Sequence, residues 1–331
     1  MLSDSFISIV IPLDNQTTIL PDFIQQVSGV LAQNYANYEI ILIDDGSRDN
    51  AQQVVGELMK DAACIRYIRL SRRFGREIAI TAGLDTAIGD YVILMDVESS
   101  PPELLTTMVA LGRAGNDIVY GVTTAPARQP IWRRIGRRLF YAYCRRILLS
   151  NIPENVTDYL LLSRKAVNAI TVMRDQYRYT RLFSGIIGFN TQTLSYQPVN
   201  HSGRQPIYHL GQEINFAIDV IVANSNHPLR LAGLLGVAAS LFNLAYIGYI
   251  LVVNLVKRTV EGWTTTSTQN AVMFLLISII LTVMSEYIGR TLVEARERPL
   301  YFVVEEKESS IAIADENRRN VVDDPLQAVV S

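Results

Sequence analysis

The sequence predicts a doubly wound α/β domain with a mostly parallel sheet, followed by a two-helix transmembrane hairpin. Three observations carry this. Short β-branched and aliphatic runs alternate with stretches of helical periodicity through the first half of the chain. Polar, often acidic turns follow several of those runs. Two long apolar stretches, 231–256 and 271–284, lie beyond Pro228.

The elements follow in order. Phe6–Leu13 reads as the first strand, with the breaker Pro12 at its end. Leu20–Gln33 shows helical spacing through Phe23, Val27, Val30 and Leu31. Tyr38–Ile43 is a second strand, and Asp44-Asp45-Gly46-Ser47 is its terminal turn. Ala51–Met59 is helical, Ile65–Leu70 a strand, and Arg76–Ala87 a helix stopped by Gly89-Asp90. Tyr91–Met95 is a buried strand that ends in Asp96-Val97-Glu98. Pro101-Pro102-Glu103 opens a helix, because proline's missing N–H costs little in a first turn. Asp117–Tyr120 is a further strand. Pro130–Leu149 interleaves Trp132, Phe140, Tyr141 and Tyr143 with arginines, as an interfacial helix does. Asp158–Leu162 leads into a helix over Ser163–Met173, for which Ser163 is a better N-cap than Asp158. Ser195–Val199 closes the sheet.

Hydrophobic residues make up 49% of the 331 and charged residues only 19%, with a mean hydropathy of +0.18. That apolar excess is concentrated after Pro228. It sets the expected organisation: a cytosolic domain over 1–228, a membrane hairpin over 229–290 and a cytosolic, partly mobile tail over 291–331. The spans are expected at about 231–256 and 268–288, near the roughly 20 residues a crossing needs. Lys257, Arg258 and Glu261 form the connecting loop, with Trp263 at an interface. Arg230, Arg290, Arg296 and Arg298 favour the other side as cytosolic, and Glu286 belongs at that interface. From Glu305 onward the mixed-charge chain reads as mobile. Met1-Leu2-Ser3-Asp4 lacks the basic start of a signal peptide.

A net charge of −2 gives no case for nucleic acid. Cys64 and Cys144 have neither metal-ligand nor disulfide spacing and fit a reduced compartment. His201, His209 and His227 are too scattered for a metal site. In doubly wound sheets ligands bind beyond the carboxyl ends of the strands. Pro12, Asp45 and Asp96-Val97-Glu98 all fall there. Asp96 and Glu98, spaced i and i+2, can close on one divalent cation as oxygen ligands and so offset the charge of a diphosphate.

The motifs then fall into a familiar series. Ile9-Val10-Ile11-Pro12, Ile43-Asp44-Asp45-Gly46-Ser47, Phe74-Gly75-Arg76-Glu77 and Ala82-Gly83-Leu84 come first. Gly89-Asp90, Met95-Asp96-Val97-Glu98, Pro101-Pro102-Glu103, Thr157-Asp158-Tyr159 and Leu162-Ser163-Arg164 follow. Pro228-Leu229-Arg230-Leu231 precedes the first span and Glu286-Tyr287-Ile288-Gly289-Arg290 ends the second. This order resembles family 2 glycosyltransferases of the dolichyl-phosphate mannose synthase and bactoprenol glucosyltransferase type, over most of residues 5–304.

The resemblance implies a GT-A domain that moves a sugar, with inversion, from a UDP- or GDP-linked donor to a polyprenyl phosphate lipid. It implies a multi-pass enzyme of the inner (plasma) membrane with its catalytic domain in the cytosol. Pro12, Asp45 and Asp96 would contact the nucleotide, and Asp96 and Glu98 a divalent cation, Mg or Mn. Asp158 takes the acidic catalytic position near the acceptor, and Arg133, Arg134 and Arg137 the acceptor phosphate. The chain departs from the family pattern in several places. Gln16 stands for Glu, Glu98 for Asp, Ser100 for Gln and Leu160 for Arg, and the usual basic segment is reduced to Arg204-Gln205-Pro206-Ile207-Tyr208. These departures leave a second reading open, a weakened homologue that binds nucleotide sugar or lipid as a scaffold. Two spans are too few for a polymer channel. Self-association stays open.

Overall fold

The structure, a computed structural model, describes residues 3–62, 64–124, 155–172, 188–199, 231–239, 262–295 and 299–309, with a few isolated positions besides. The chain divides into two compact units, Met1–Ile207 with Pro299–Ser331, and Tyr208–Arg298.

The first unit is built on an eight-stranded sheet. Its elements are β1 (Ile7–Leu13), α1 (Leu20–Asn34), β2 (Tyr38–Asp44), α2 (Ala51–Asp61), β3 (Ile65–Leu70), α3 (Arg76–Thr86) and β4 (Tyr91–Leu94). A 3₁₀ turn at Pro102–Leu104 leads into α4 (Leu105–Arg113). Then come β5 (Ile118–Thr123), β6 (Val156–Ser163), α5 (Arg164–Val172), β7 (Thr191–Tyr196) and, after the second unit, β8 (Val303–Glu308). The strand order is β7-β5-β6-β4-β1-β2-β3-β8. The central strands β4, β1, β2 and β3 run parallel, as does β5 with β7. β6 and β8 run against their neighbours.

Why these residues form this sheet is plain from burial. Every residue of β1 is buried, as expected for a central strand covered on both faces. Ile7, Ile9 and Ile11 pack on one face with Phe23, Val27 and Leu31 of α1. Val10 packs on the other with Ala79, Ala82 and Leu84 of α3. Gly83 lets α3 come down onto the sheet, since a Cβ there would lie 2.3 Å from Val10 Cγ1. Pro12 is tolerated inside β1 because pairing with β4 stops at Val10, whereas pairing with β2 continues to Leu13.

Asp158–Leu162 does lead into a helix, α5, and is itself part of strand β6, with Tyr159–Leu162 fully buried between β4 and β5. A four-residue apolar run fits either element by periodicity, and the two flanking strands decide it. Ser163 does cap α5, its Oγ accepting the Ala166 N–H at 3.3 Å. Two other expectations need correction. The closing strand starts earlier than expected, at Thr191. Glu305–Glu308 is no mobile tail. It belongs to β8, which pairs antiparallel with β3. Arg66 forms ion pairs with Glu306 and Glu308. The Ser309 N–H donates to the Ile65 carbonyl and the Ile65 N–H to Ser309 Oγ.

In the second unit, residues 231–239 are helical, and α6 (Trp263–Ala295) runs for 33 residues. Its stretch Val272–Gly289 has a mean hydropathy of 2.0 over 18 residues, none buried within the protein. Among the described residues, α6 alone is long and apolar enough to cross a membrane. Half of the span expected at 231–256 lies outside the described residues, as does the arginine-rich segment 130–149 apart from positions 136 and 138.

Candidate active site

The site lies where the parallel strands end. The turns after β1 and β2 are tied to each other. Asn15, at φ 56°, donates its N–H to Ser47 Oγ at 3.1 Å and accepts the Arg48 N–H at 2.9 Å. Thr17 N–H reaches Asp49 Oδ2 at 3.2 Å. Asp44 closes the second turn by accepting the Ser47 N–H at 2.7 Å and the Tyr67 hydroxyl at 2.6 Å. Asp45 faces the loop before α3. Its carboxylate accepts the N–H of Phe74 at 2.7 Å and of Gly75 at 2.8 Å. Burial pushes the Asp45 carboxyl above its ordinary range, against the pull of those two N–H groups. Gly46, at φ +68°, lets the two loops touch, since a Cβ would lie 2.7 Å from the Arg72 carbonyl carbon. Arg73 and Asp14 pair at the rim.

Asp96 sits two residues past β4 in a tightly bonded turn. Ser100 Oγ accepts the Asp96 N–H at 2.9 Å, and the Asp96 carbonyl accepts the Ser100 N–H at 3.0 Å. Ser99 Oγ donates to Asp96 Oδ2 at 2.7 Å. Ser100, a departure from the family pattern, thus serves as the lock of this turn. Glu98 Oε1 accepts from Gln16 Nε2 at 3.1 Å. Two further departures are therefore in contact. A glutamate at position 16 would set a second carboxylate against Glu98, whereas the amide donates to it.

Asp158 reaches the same edge by an indirect route. β6 runs antiparallel to β4, with Leu94 opposite Leu160 and Tyr91 opposite Ser163. Continued by two residues, that register sets Asp158 across from Asp96. Two like charges facing each other repel. Arg76, the first residue of α3, stands between them, with Nη2 3.2 Å from Asp96 Oδ1 and Nε 3.1 Å from Asp158 Oδ2. The two carboxylate side chains are 14% and 26% exposed. Burial works against the guanidinium's charge, but Asp158 and then Asp96 outweigh it and hold Arg76 above its ordinary range. Arg76 was in view only as a letter in a motif. No local signal marks a residue whose partners are 20 and 82 positions away.

The sequence-predicted residues Pro12, Asp45, Asp96, Glu98 and Asp158 all lie at the strand ends of this edge or in the turns just beyond them. Arg133, Arg134 and Arg137 lie outside the described residues. The side chains present suit a hard divalent cation. Gln16 Oε1 is a buried oxygen with no hydrogen-bond donor, and Asp96 Oδ1 is a buried carboxylate oxygen that faces the Arg76 guanidinium; oxygen donors are what Mg or Mn takes. Among the described residues no three His, Cys, Asp or Glu side chains converge as a closed cage. Two carboxylates with the rest left to substrate phosphates and water is the usual arrangement for Mg.

Fold and site together define a GT-A-like α/β domain. The profile of "Glycosyl transferase family 2" matches residues 8–171. An uncharacterised glycosyltransferase of Synechocystis sp. is 32% identical over 303 residues, covering 90% of this chain and 94% of that one. The chain belongs to glycosyl transferase family 2. It is 28% identical over 308 residues to the bactoprenol glucosyl transferase of Shigella phage SfV, across 91% of this chain and 99% of that protein. It is also similar to the undecaprenyl-phosphate 4-deoxy-4-formamido-L-arabinose transferase of Pseudomonas savastanoi pv. phaseolicola, 25% identical over 320 residues and 94% of each chain.

Proposed function

We propose that this glycosyltransferase moves a sugar from a nucleotide sugar to a polyprenyl phosphate at the cytosolic face of a membrane, with inversion at the anomeric carbon. The observation that carries the reading is the pairing of Asp96 and Asp158 through Arg76 at the carboxyl edge of the sheet. It joins a donor-side carboxylate to an acceptor-side one. The names of the relatives supply the acceptor class. The apolar helix α6 supplies a means of staying near a lipid substrate.

In this reading the turns holding Pro12 and Asp45 shape the nucleoside pocket. Asp96 and Glu98 hold a divalent cation. When bound, that cation stabilises the charge that develops on the departing nucleotide diphosphate. Gln16 fixes the Glu98 carboxylate, and Ser99 and Ser100 fix Asp96. A phosphate monoester has its second pKa near about 6, so the acceptor is already largely dianionic at neutral pH. Asp158 therefore orients the acceptor and takes up any residual proton. An acceptor phosphate oxygen forms the new bond to the anomeric carbon as the bond to the diphosphate breaks. Arg133, Arg134 and Arg137 hold the acceptor phosphate, and 130–149 lies along the head groups. The uses found for Gln16, Glu98 and Ser100 favour an active enzyme over a scaffold.

The test is nucleotide release from a panel of UDP- and GDP-sugars by the full chain with a divalent cation, with and without added polyprenyl phosphate. Release that needs the lipid, and that Asp96→Asn abolishes in a folded protein, is expected. Release indifferent to the lipid, or none from any donor, would overturn the proposal.

A further inference from the structure

Arg76 occupies an unusual place. A cation at the first position of a helix lies at the positive end of the helix dipole. The carboxylates of Asp158 and Asp96 in front of it, with Glu77 beside it, offset that cost. Its Nε and Nη2 are both buried and point to different partners, Asp158 and Asp96. On the reading above, Asp96 also has to hold a divalent cation. A guanidinium 3.2 Å from Asp96 Oδ1 stands where positive charge would otherwise come to that oxygen. Both cannot keep it, because two positive charges on one carboxylate oxygen repel at short range.

We propose that Arg76 is a positioning residue that competes with the divalent cation for Asp96 and is released toward Asp158 when the cation binds. Loading of the donor side then sets the acceptor side. Before loading, Arg76 stabilises two facing carboxylates by pairing with both. After loading, its whole interaction falls on Asp158, which is thereby fixed as an oriented carboxylate. The fork of the guanidinium matters here. Lysine would carry the charge but offers one nitrogen, not two held apart in a rigid plane.

This coupling has a sign that a structural role does not. Arg76→Gln removes the competitor, so Mn²⁺ should bind more tightly, by about five- to tenfold for a partly screened unit charge. Asp158→Asn leaves Arg76 to Asp96 alone, so Mn²⁺ should bind more weakly. In the double variant the effect of Asp158→Asn should vanish, because its route through Arg76 is gone. Arg76→Lys should keep the parent Mn²⁺ affinity and still lose turnover at saturating donor. Free Mn²⁺ is counted by electron paramagnetic resonance on the full chain in detergent, so the readout does not depend on activity. Arg76→Met, which keeps the aliphatic stem, replaces the Gln variant if that one does not fold.

Unchanged or weaker Mn²⁺ binding in Arg76→Gln would overturn the proposal. So would an Asp158→Asn effect of full size in the double variant, since that marks a direct field rather than a handover. If the parent chain itself binds no Mn²⁺, the cation reading and this proposal fall together. If it binds Mn²⁺ and only the cycle fails, the cation reading stands and the role of Arg76 does not.

Discussion

Replacing Asp45 by asparagine separates two roles for that residue, a ligand of the nucleoside and an anchor of the loop before α3. The residue is 3% exposed, and its carboxylate accepts two backbone N–H groups, from Phe74 and Gly75. Asparagine keeps the shape but has one acceptor oxygen, and its amide would face the second N–H. A hydrogen bond to a charged group contributes about 1.5–3 kcal/mol, and a buried donor left unpaired costs a comparable amount. Burial already raises the Asp45 carboxyl against the pull of both N–H groups, so the lower end applies, about 2 kcal/mol. For a unit of this size, each kcal/mol moves the melting temperature by about 2–4 °C, which gives a loss of roughly 4–8 °C. The displaced loop leads directly into Arg76, the first residue of α3, so turnover should fall along with stability. Thermal unfolding of the full chain in detergent and equilibrium nucleotide binding are measured side by side. A variant that melts like the parent but binds nucleotide about tenfold more weakly, a loss of 1.4 kcal/mol, would refute the anchor.

Two further outcomes are expected. Burial raises the Glu39 carboxyl above its ordinary value, against hydrogen bonds from Ile88 N–H and Ser8 Oγ. A raised acid contributes stability that is present below its unfolded value, near about 4.3, and lost as pH rises through the folded value. Glu39→Gln keeps an acceptor oxygen and should therefore gain on the parent between pH 4 and pH 7 in denaturant midpoints, about in proportion to the ionised fraction; an advantage constant across that range would contradict this. Neutralising Arg133, Arg134 and Arg137 together should raise the lipid-acceptor requirement by about tenfold or more while the nucleotide-sugar requirement stays near the parent's. Equal weakening of both would remove the acceptor assignment.

The parallel core was legible because each of its strands is short, apolar and closed by a turn, and because both of its faces are covered. β8 was not. Its residues Val303-Val304-Glu305-Glu306-Lys307-Glu308 carry four charges, which reads as solvated chain. An edge strand tolerates such charge, since only one side pairs and charged side chains guard the other. What fixes it is the partner. Arg66 on β3 meets Glu306 and Glu308, and Ile65 exchanges hydrogen bonds with Ser309. These partners are more than two hundred residues away in the sequence, so no local window holds both halves of the signal. The consequence is that the chain returns to its first sheet after α6, and the second unit is an insertion between two parts of the first in sequence.

The same reasoning explains why the site was half legible. Asp96 and Glu98 declare themselves by spacing alone, as do the turns at Pro12 and Asp45. Asp158 declares only that it is acidic. Its place depends on β6 running backwards between β4 and β5. Were β6 parallel to β4, its first residues would lie at the amino edge of the sheet, far from every other functional group. Reversal brings them to the carboxyl edge, and the Leu94–Leu160 register then fixes which residue faces Asp96. A slip of one residue would turn Asp158 to the other face of the sheet. The buried run Tyr159–Leu162 prevents that slip, because Tyr159 and Leu161 fill one core and Leu160 and Leu162 the other. The position of the Asp158 carboxylate is therefore set by four buried apolar side chains, and the facing pair they impose is what Arg76 bridges.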